Sequence, residues 1–149
     1  AEIFPCQHPI ALRIDGHAVE VRLYAEDPVK GFLPSTGRLA RLRLPQPGEH
    51  IRVDAGVAEG GDVTMYYDPM IAKVIAWSRT REEALGSLAD ALETAEIAGV
   101  RTNLGFLITT LRHTAMVGGQ VDTGFIDRHK TELISMPTGL EGDALLLAA

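Results

Sequence analysis

Met70-Ile71-Ala72-Lys73-Val74-Ile75-Ala76-Trp77, followed shortly by Thr80-Arg81-Glu82-Glu83-Ala84-Leu85, is the stretch where the hydrophobic period changes. Met70 to Trp77 is apolar apart from Lys73, which predicts a strand buried on both faces. From Thr80 onward the period is that of a helix. Ala84, Leu85, Leu88, Ala91, Leu92 and Ala95 recur at three- and four-residue steps, the stripe of an amphipathic helix. Thr80 and Glu83 stand at capping-box spacing. Leu88 and Leu92 lie centrally on the stripe, so they are expected at a helix–sheet contact. Gly99 falls where a C-terminal cap belongs.

Toward the N-terminus the period is two. His17, Val19, Val21 and Leu23 share one strand face, and Ala18, Glu20, Arg22 and Tyr24 share the other. Glu26-Asp27-Pro28 stops that strand, since Pro lacks the ladder donor. Lys30-Gly31 and Pro34-Ser35-Thr36-Gly37 bracket Phe32-Leu33, an apolar peg in a loop. Arg38 to Leu44 alternates again, with Ala40, Leu42 and Leu44 expected inward and Arg41 and Arg43 outward. Ile51, Val53, Ala55 and Val57 form a third strand face. Glu59-Gly60-Gly61-Asp62 is a turn, and Val63 to Tyr67 a short strand.

Toward the C-terminus, Asn103 is placed to cap a second helix with apolar positions Leu104, Leu107, Ile108 and Leu111. Phe125 to Ile134 is a third helix. Residues 1–12 are a lead-in, 13–134 the domain, and 135–149 a linker and the start of a following segment. About five strands grouped before helices predict an α+β fold with an antiparallel sheet. The alternative is a small all-β barrel or sandwich with an appended helix pair.

Composition excludes several classes. Hydrophobic residues make up 46% of the 149, enough to bury a core, so the whole chain is not disordered. No apolar run is long enough to span a membrane. Fourteen Lys and Arg against twenty Asp and Glu leave a net charge of −6, which argues against nucleic acid as a partner. Cys6 is alone, so the fold does not depend on a disulfide, and a reducing compartment is expected. The N-terminus lacks a signal-peptide layout.

The sequence contains no CxxC pair, HExxH, EF-hand loop, Walker loop or GxSxG. The five histidines (8, 17, 50, 113 and 129) do not fall at ligand spacing, so no metal site is expected. Arg38, Arg41 and Arg43 read as a solvated, edge-protecting face. Glu20 and Arg22 have two readings. They form a cross-face ion pair on a half-exposed strand, or Arg22 projects into a cleft as a fixed anion donor oriented by Glu20. An Arg suits the second task because its planar fork stays charged and makes paired hydrogen bonds. Periodicity alone leaves both open.

Gly16-His17-Ala18-Val19-Glu20-Val21-Arg22-Leu23-Tyr24-Ala25-Glu26-Asp27-Pro28 resembles the segment that opens the C-terminal domain of biotin carboxylases. The likeness continues through Phe32-Leu33-Pro34-Ser35-Thr36-Gly37 and Arg52, then Tyr66-Tyr67-Asp68-Pro69-Met70-Ile71-Ala72-Lys73. Further on, Gly99-Val100-Arg101-Thr102-Asn103 and Thr123-Gly124-Phe125-Ile126-Asp127 also resemble family segments. Together these cover about residues 13 to 130.

The resemblance implies a mainly antiparallel sheet of the barrel-sandwich-hybrid kind, followed by packed helices. It implies the C-terminal lobe of an ATP-grasp enzyme that uses ATP, magnesium and bicarbonate to carboxylate biotin on a separate carrier domain. The nucleotide and metal motifs would lie upstream, so this lobe alone is expected to be inactive. Arg22 matches the arginine that contacts bicarbonate and the ureido oxygen of biotin. Glu20 and Asp68 match supporting positions, Thr123 the edge of the nucleotide pocket, and Arg52 a dimer contact. At Glu49 the sequence departs from the bacterial acetyl-CoA type, which has an aromatic there.

The wording of these segments is similar to the alpha subunits of methylcrotonyl- and propionyl-CoA carboxylases. The partners implied are the missing ATP-grasp part of the same polypeptide, a biotin carrier domain and a carboxyltransferase subunit. The location implied is cytoplasmic in a bacterium or the mitochondrial matrix in a eukaryote. A non-catalytic interaction or structural module that reuses the fold is the alternative.

Overall fold

The structure is a computed structural model and describes residues 15–134. The lead-in with Cys6 and the expected linker and tail lie outside the described residues. Its centre is an antiparallel sheet of three strands, β1 (His17–Tyr24), β8 (Met70–Ser78) and β6 (Ile51–Ala55), in the order β1-β8-β6. Three two-stranded ladders surround it: β2 (Glu26–Asp27) with β3 (Leu33–Pro34), β4 (Gly37–Arg38) with β7 (Asp62–Val63), and β5 (Arg41–Arg43) with β9 (Glu96–Ala98). Among the described residues four α-helices follow or interleave: α1 (Arg81–Glu93), α2 (Leu104–Arg112), α3 (Thr114–Val117) and α4 (Phe125–Ile134). The class is α+β with antiparallel pairing throughout the described residues, as the grouping of strands before helices predicts.

Register explains the core. Val19 faces Ala76 and Ile51 across the sheet, and Val21 faces Val74 and Val53. This face packs on α1, where Leu88 and Leu92 are fully buried beside Val74 and Ala76. The capping box is present in both directions. Glu83 N–H donates to Thr80 Oγ1 at 3.2 Å, and Thr80 N–H donates to Glu83 Oε2 at 3.2 Å. A second cluster, Leu23, Ala25, Leu39, Val63, Ile71 and Ala72, fills the space toward the short ladders.

Several expectations need correction. β8 is not buried on both faces, because helices cover only one side; Lys73, Ile75 and Trp77 are half-buried on the other. Arg38 to Leu44 is not one strand. Leu39 is fully buried and Ala40 exposed, because the chain changes partner there, from β7 to β9. Leu39 marks the corner with two backbone bonds: its N–H donates to Gly61 and its carbonyl accepts from Gly60. The strand expected over Val63 to Tyr67 stops at Val63, and Tyr66 and Tyr67 stand in a turn, 84% and 83% exposed. Of the Phe32-Leu33 peg only Phe32 packs, edge-on to Phe106 with ring centroids 4.9 Å apart, while Leu33 points out.

The expected helix end is also different. α1 stops at Glu93, and Glu96–Ala98 becomes the partner strand of β5. Gly99 is therefore not a helix cap. Its φ is +103°, and an added Cβ would run into the Arg38 carbonyl oxygen, so this close crossing of two chains needs glycine.

Candidate functional site: a charged sheet face ending at Arg22

The face of the sheet away from α1 carries the polar partners of the same alternation. In register, Arg22 lies opposite Lys73 and Lys73 opposite Asp54, while Glu20 lies opposite Ile75 and Ile75 opposite Arg52. The five charged side chains form one chain of ion pairs across all three strands. Arg22 Nε is 3.6 Å from Glu20, and Glu20 is 3.7 Å from Lys73 Nζ. Lys73 Nζ is 3.6 Å from Asp54, and Asp54 is 3.0 Å from Arg52 Nε. Charge alternates along it and a cation stands at each end, Arg22 and Arg52. Both are exposed, the Arg22 side chain at 61%. The structure thus brings Glu20, Arg22 and Arg52 together on one face. Glu20 lies within ion-pair distance of Arg22 and is shared with Lys73.

The neighbours of Arg22 define its chemistry. Tyr24, two residues on and on the same face, sits beside the guanidinium; with Glu20 it holds that group more firmly in its charged form. Arg52 is held likewise by Asp54, whose carboxyl is kept below its ordinary range mainly by the hydrogen bond from Arg52. Asp68 belongs to the same end of β1. Ala25 N–H donates to the Pro69 carbonyl at 2.9 Å, and Asp68 Oδ1 accepts from Met70 N–H at 3.0 Å. Burial first, and the Asp68 charge second, raise the Glu26 carboxyl above its ordinary range. The Glu20 carboxylate and the Tyr24 phenol therefore stand beside an exposed guanidinium at one edge of the sheet. Such an edge can receive an anion at Arg22 and a hydrogen-bonding ligand beside it.

Thr123 lies elsewhere, in the exposed turn before α4, an element packed chiefly on α2. Asn103 precedes α2 but makes no side-chain cap to it, contrary to the sequence reading. Its side chain and backbone bind β1 instead. The readings of Arg38, Arg41 and Arg43 diverge. Arg41 pairs with Glu96 at 2.7 Å, tying β5 to β9, and Arg43 is exposed.

Histidines that do not cluster in sequence do meet in space. His113 and His129 have ring centroids 4.3 Å apart, and Glu132 reaches both, at 3.2 Å from His113 Nε2 and 3.6 Å from His129 Nδ1. These are the metal-capable residues that converge among the described residues. Ala115 N–H donates to His113 Nδ1 at 3.2 Å, so in the neutral ring Nε2 carries the proton and donates it to Glu132. A metal on Nε2 would require a proton on Nδ1, directly against the Ala115 N–H. The trio fits a clasp that holds α4 to the α2–α3 corner, not a metal centre.

Sequence reasoning gave Lys73, Asp54 and Glu26 no part in the site and read Asn103 as a helix cap. Lys73 carries a legible signal, a lone charge in an apolar strand opposite an acidic face. Asn103 carries none, because its partners are about eighty residues away.

Comparisons with known proteins identify the family of the domain. Residues 20–128 match the model of the biotin carboxylase C-terminal domain. The mitochondrial methylcrotonoyl-CoA carboxylase subunit alpha of Dictyostelium discoideum is 45% identical over 138 residues, which cover 93% of this chain and 20% of that protein. A biotin carboxylase of Halalkalibacterium halodurans is 46% identical over 83% of this chain and 26% of its own length. Among solved structures, the biotin carboxylase domain of the Hydrogenobacter thermophilus 2-oxoglutarate carboxylase superposes with a TM-score of 0.78 at 38% identity, covering 82% of this chain and 27% of that one. The chain therefore spans about a quarter or less of the length of these proteins. The chain belongs to the biotin carboxylase C-terminal domain family.

Proposed function

We propose that this chain is the C-terminal lobe of a biotin carboxylase within an acyl-CoA carboxylase of the methylcrotonyl- or propionyl-CoA type. Its task is to complete the biotin and bicarbonate site for ATP-dependent carboxylation of biotin on a carrier domain. The observation that carries this reading is the placement of Arg22, an exposed guanidinium at the end of an ion-pair chain, on the sheet face away from α1.

The chemistry follows from that placement. Removing the ureido N–H proton of biotin builds negative charge on the ureido oxygen. A guanidinium already fixed there stabilises the charge as it develops, without reorganising at the moment of reaction. Glu20 supports Arg22, and Asp68 shapes the same edge. ATP and magnesium, held by an upstream ATP-grasp part, supply the activation of bicarbonate when bound. Thr123 borders the nucleotide pocket and Arg52 meets a second copy. The remaining partner is a carboxyltransferase subunit, which selects the acyl-CoA. The site of action is the bacterial cytoplasm, or the mitochondrial matrix in a eukaryote.

The isolated chain is expected to be inert, since the nucleotide and metal motifs are absent from its sequence. Bicarbonate- and biotin-dependent ADP release is measured with purified chain against a heat-killed control. No release is expected from the chain alone, and activity is expected once it is joined to the ATP-grasp part. Turnover by the isolated chain would contradict the reading.

A further inference from the structure

Among the described residues β1 is an edge strand, so at Arg22–Tyr24 no described strand lies along its outer rim. On its inner side the pairing with β8 runs through Arg22 and Leu23, and the register shifts between Leu23 and Tyr24. The outward-facing backbone groups of Arg22 and Tyr24 thus have no described strand to pair with, beside an irregularity in the inner ladder. Asn103 supplies their partners. The residue is 5% exposed, and three of its groups act at once. Its Oδ1 accepts from Tyr24 N–H at 2.9 Å, its Nδ2 donates to the Arg22 carbonyl at 3.2 Å, and its backbone N–H donates to the Tyr24 carbonyl at 3.1 Å. The backbone groups settle the amide's orientation, because an N–H must face an acceptor and a carbonyl a donor. Asn103 therefore does the work of a strand with one side chain. It does so while leaving its own helix uncapped; the start of α2 takes a 3.4 Å bond from Leu104 N–H to Thr102 Oγ1 instead.

We infer that Asn103 is a positioning residue for Arg22 and Tyr24, setting where the guanidinium stands relative to the reacting biotin. The inference rests on the reading of Arg22 given above. Asn103 reaches the chemistry only through the strand it holds. A small displacement of a fixed charge is costly, since about 1 Å of misplacement removes on the order of a hundredfold in rate.

The test is a cycle of four full-length carboxylases carrying this chain: unchanged, Asn103→Asp, Arg22→Lys, and both changes together. Asn103→Asp keeps the size and the Oδ1 acceptor, but it sets a second acceptor against the Arg22 carbonyl. Expected is a fall of about ten- to a hundredfold in kcat for biotin carboxylation, with the KM for ATP unchanged. Added to Arg22→Lys, the same change is expected to cost little more, because the two residues act as a unit. An equal fall in both backgrounds would overturn the inference, as would a raised ATP KM at normal kcat. A normal rate for Arg22→Lys alone would instead overturn the reading of Arg22, and the single variants tell the two failures apart. Asn103→Ser replaces Asn103→Asp in the cycle if the latter does not fold. It keeps one hydrogen bond, so an intermediate fall with the same non-additivity is expected, and a normal rate would overturn the inference.

Discussion

The two faces of the central sheet come from the same three strands, at alternate residues, and they do opposite work. On one, Val19, Val21, Val74, Ala76, Ile51 and Val53 meet across the register and pack on Leu85, Leu88 and Leu92 of α1. On the other, Glu20, Arg22, Lys73, Asp54 and Arg52 alternate in sign and stay wet. The first face removes apolar surface from water and holds the fold together. The second contributes little to stability, because exposed ion pairs are screened. In the function proposed above, its value lies in placing a cation at a sheet edge. The difference teaches that period two lets stability and chemistry be assigned to one strand without competing for the same positions.

If that division is right, substitutions on the two faces should separate cleanly. Leu88→Ala, on the inner contact, is expected to cost about 2–5 kcal/mol, read from denaturant midpoints. A change of a few tenths would mean that the contact between α1 and the sheet is not tight. Lys73→Met, on the outer face, should move the thermal midpoint by less than about 4 °C. A larger shift would make the ion-pair chain part of the fold's support and break the comparison.

The smallest effect belongs to a region on neither face, the α4 clasp. The hydrogen bond from His113, and then His129, holds the Glu132 carboxyl below its ordinary value of 4.5. A depressed carboxyl contributes stability that is complete above its unfolded value and is lost as pH falls through its folded one. Glu132→Gln should therefore flatten the acid limb of the stability curve below about pH 4.5 and leave the rest of the curve parallel. An unchanged acid limb would remove Glu132 from the clasp.

Much of this architecture was legible in the sequence because it is periodic. The alternation of His17 to Tyr24 assigns Arg22 and Glu20 to one face, and the stripe through Leu88 and Leu92 gives α1 with its capping box. What was not legible depends on partners distant in sequence. The corner at Leu39 arises where one segment changes from β7 to β9, and the Glu96–Ala98 strand exists only because β5 lies beside it. Met70 to Trp77 looks buried on both faces because Ile75 and Trp77 are apolar. Trp77 in fact lies beside the ring of His50 on the open face, with centroids 5.3 Å apart. Asn103 reads as a cap from its position, and only the tertiary fold turns its amide toward β1. Of the candidate site, Arg22 and its pairing with Glu20 came from alternation. The role of Arg22 came from the family likeness, which no spacing rule provides.

The most direct test of the central claim pairs two readings on one variant, Arg22→Lys in the full-length carboxylase. Lysine keeps the positive charge and loses the planar paired donor. The biotin carboxylation rate is expected to fall about a hundredfold or more, the scale of one lost oxyanion donor. The thermal midpoint and ATP binding should stay nearly unchanged. A near-normal rate would remove Arg22 from the site, and a collapsed midpoint would make the Glu20–Arg22 pair a structural element instead.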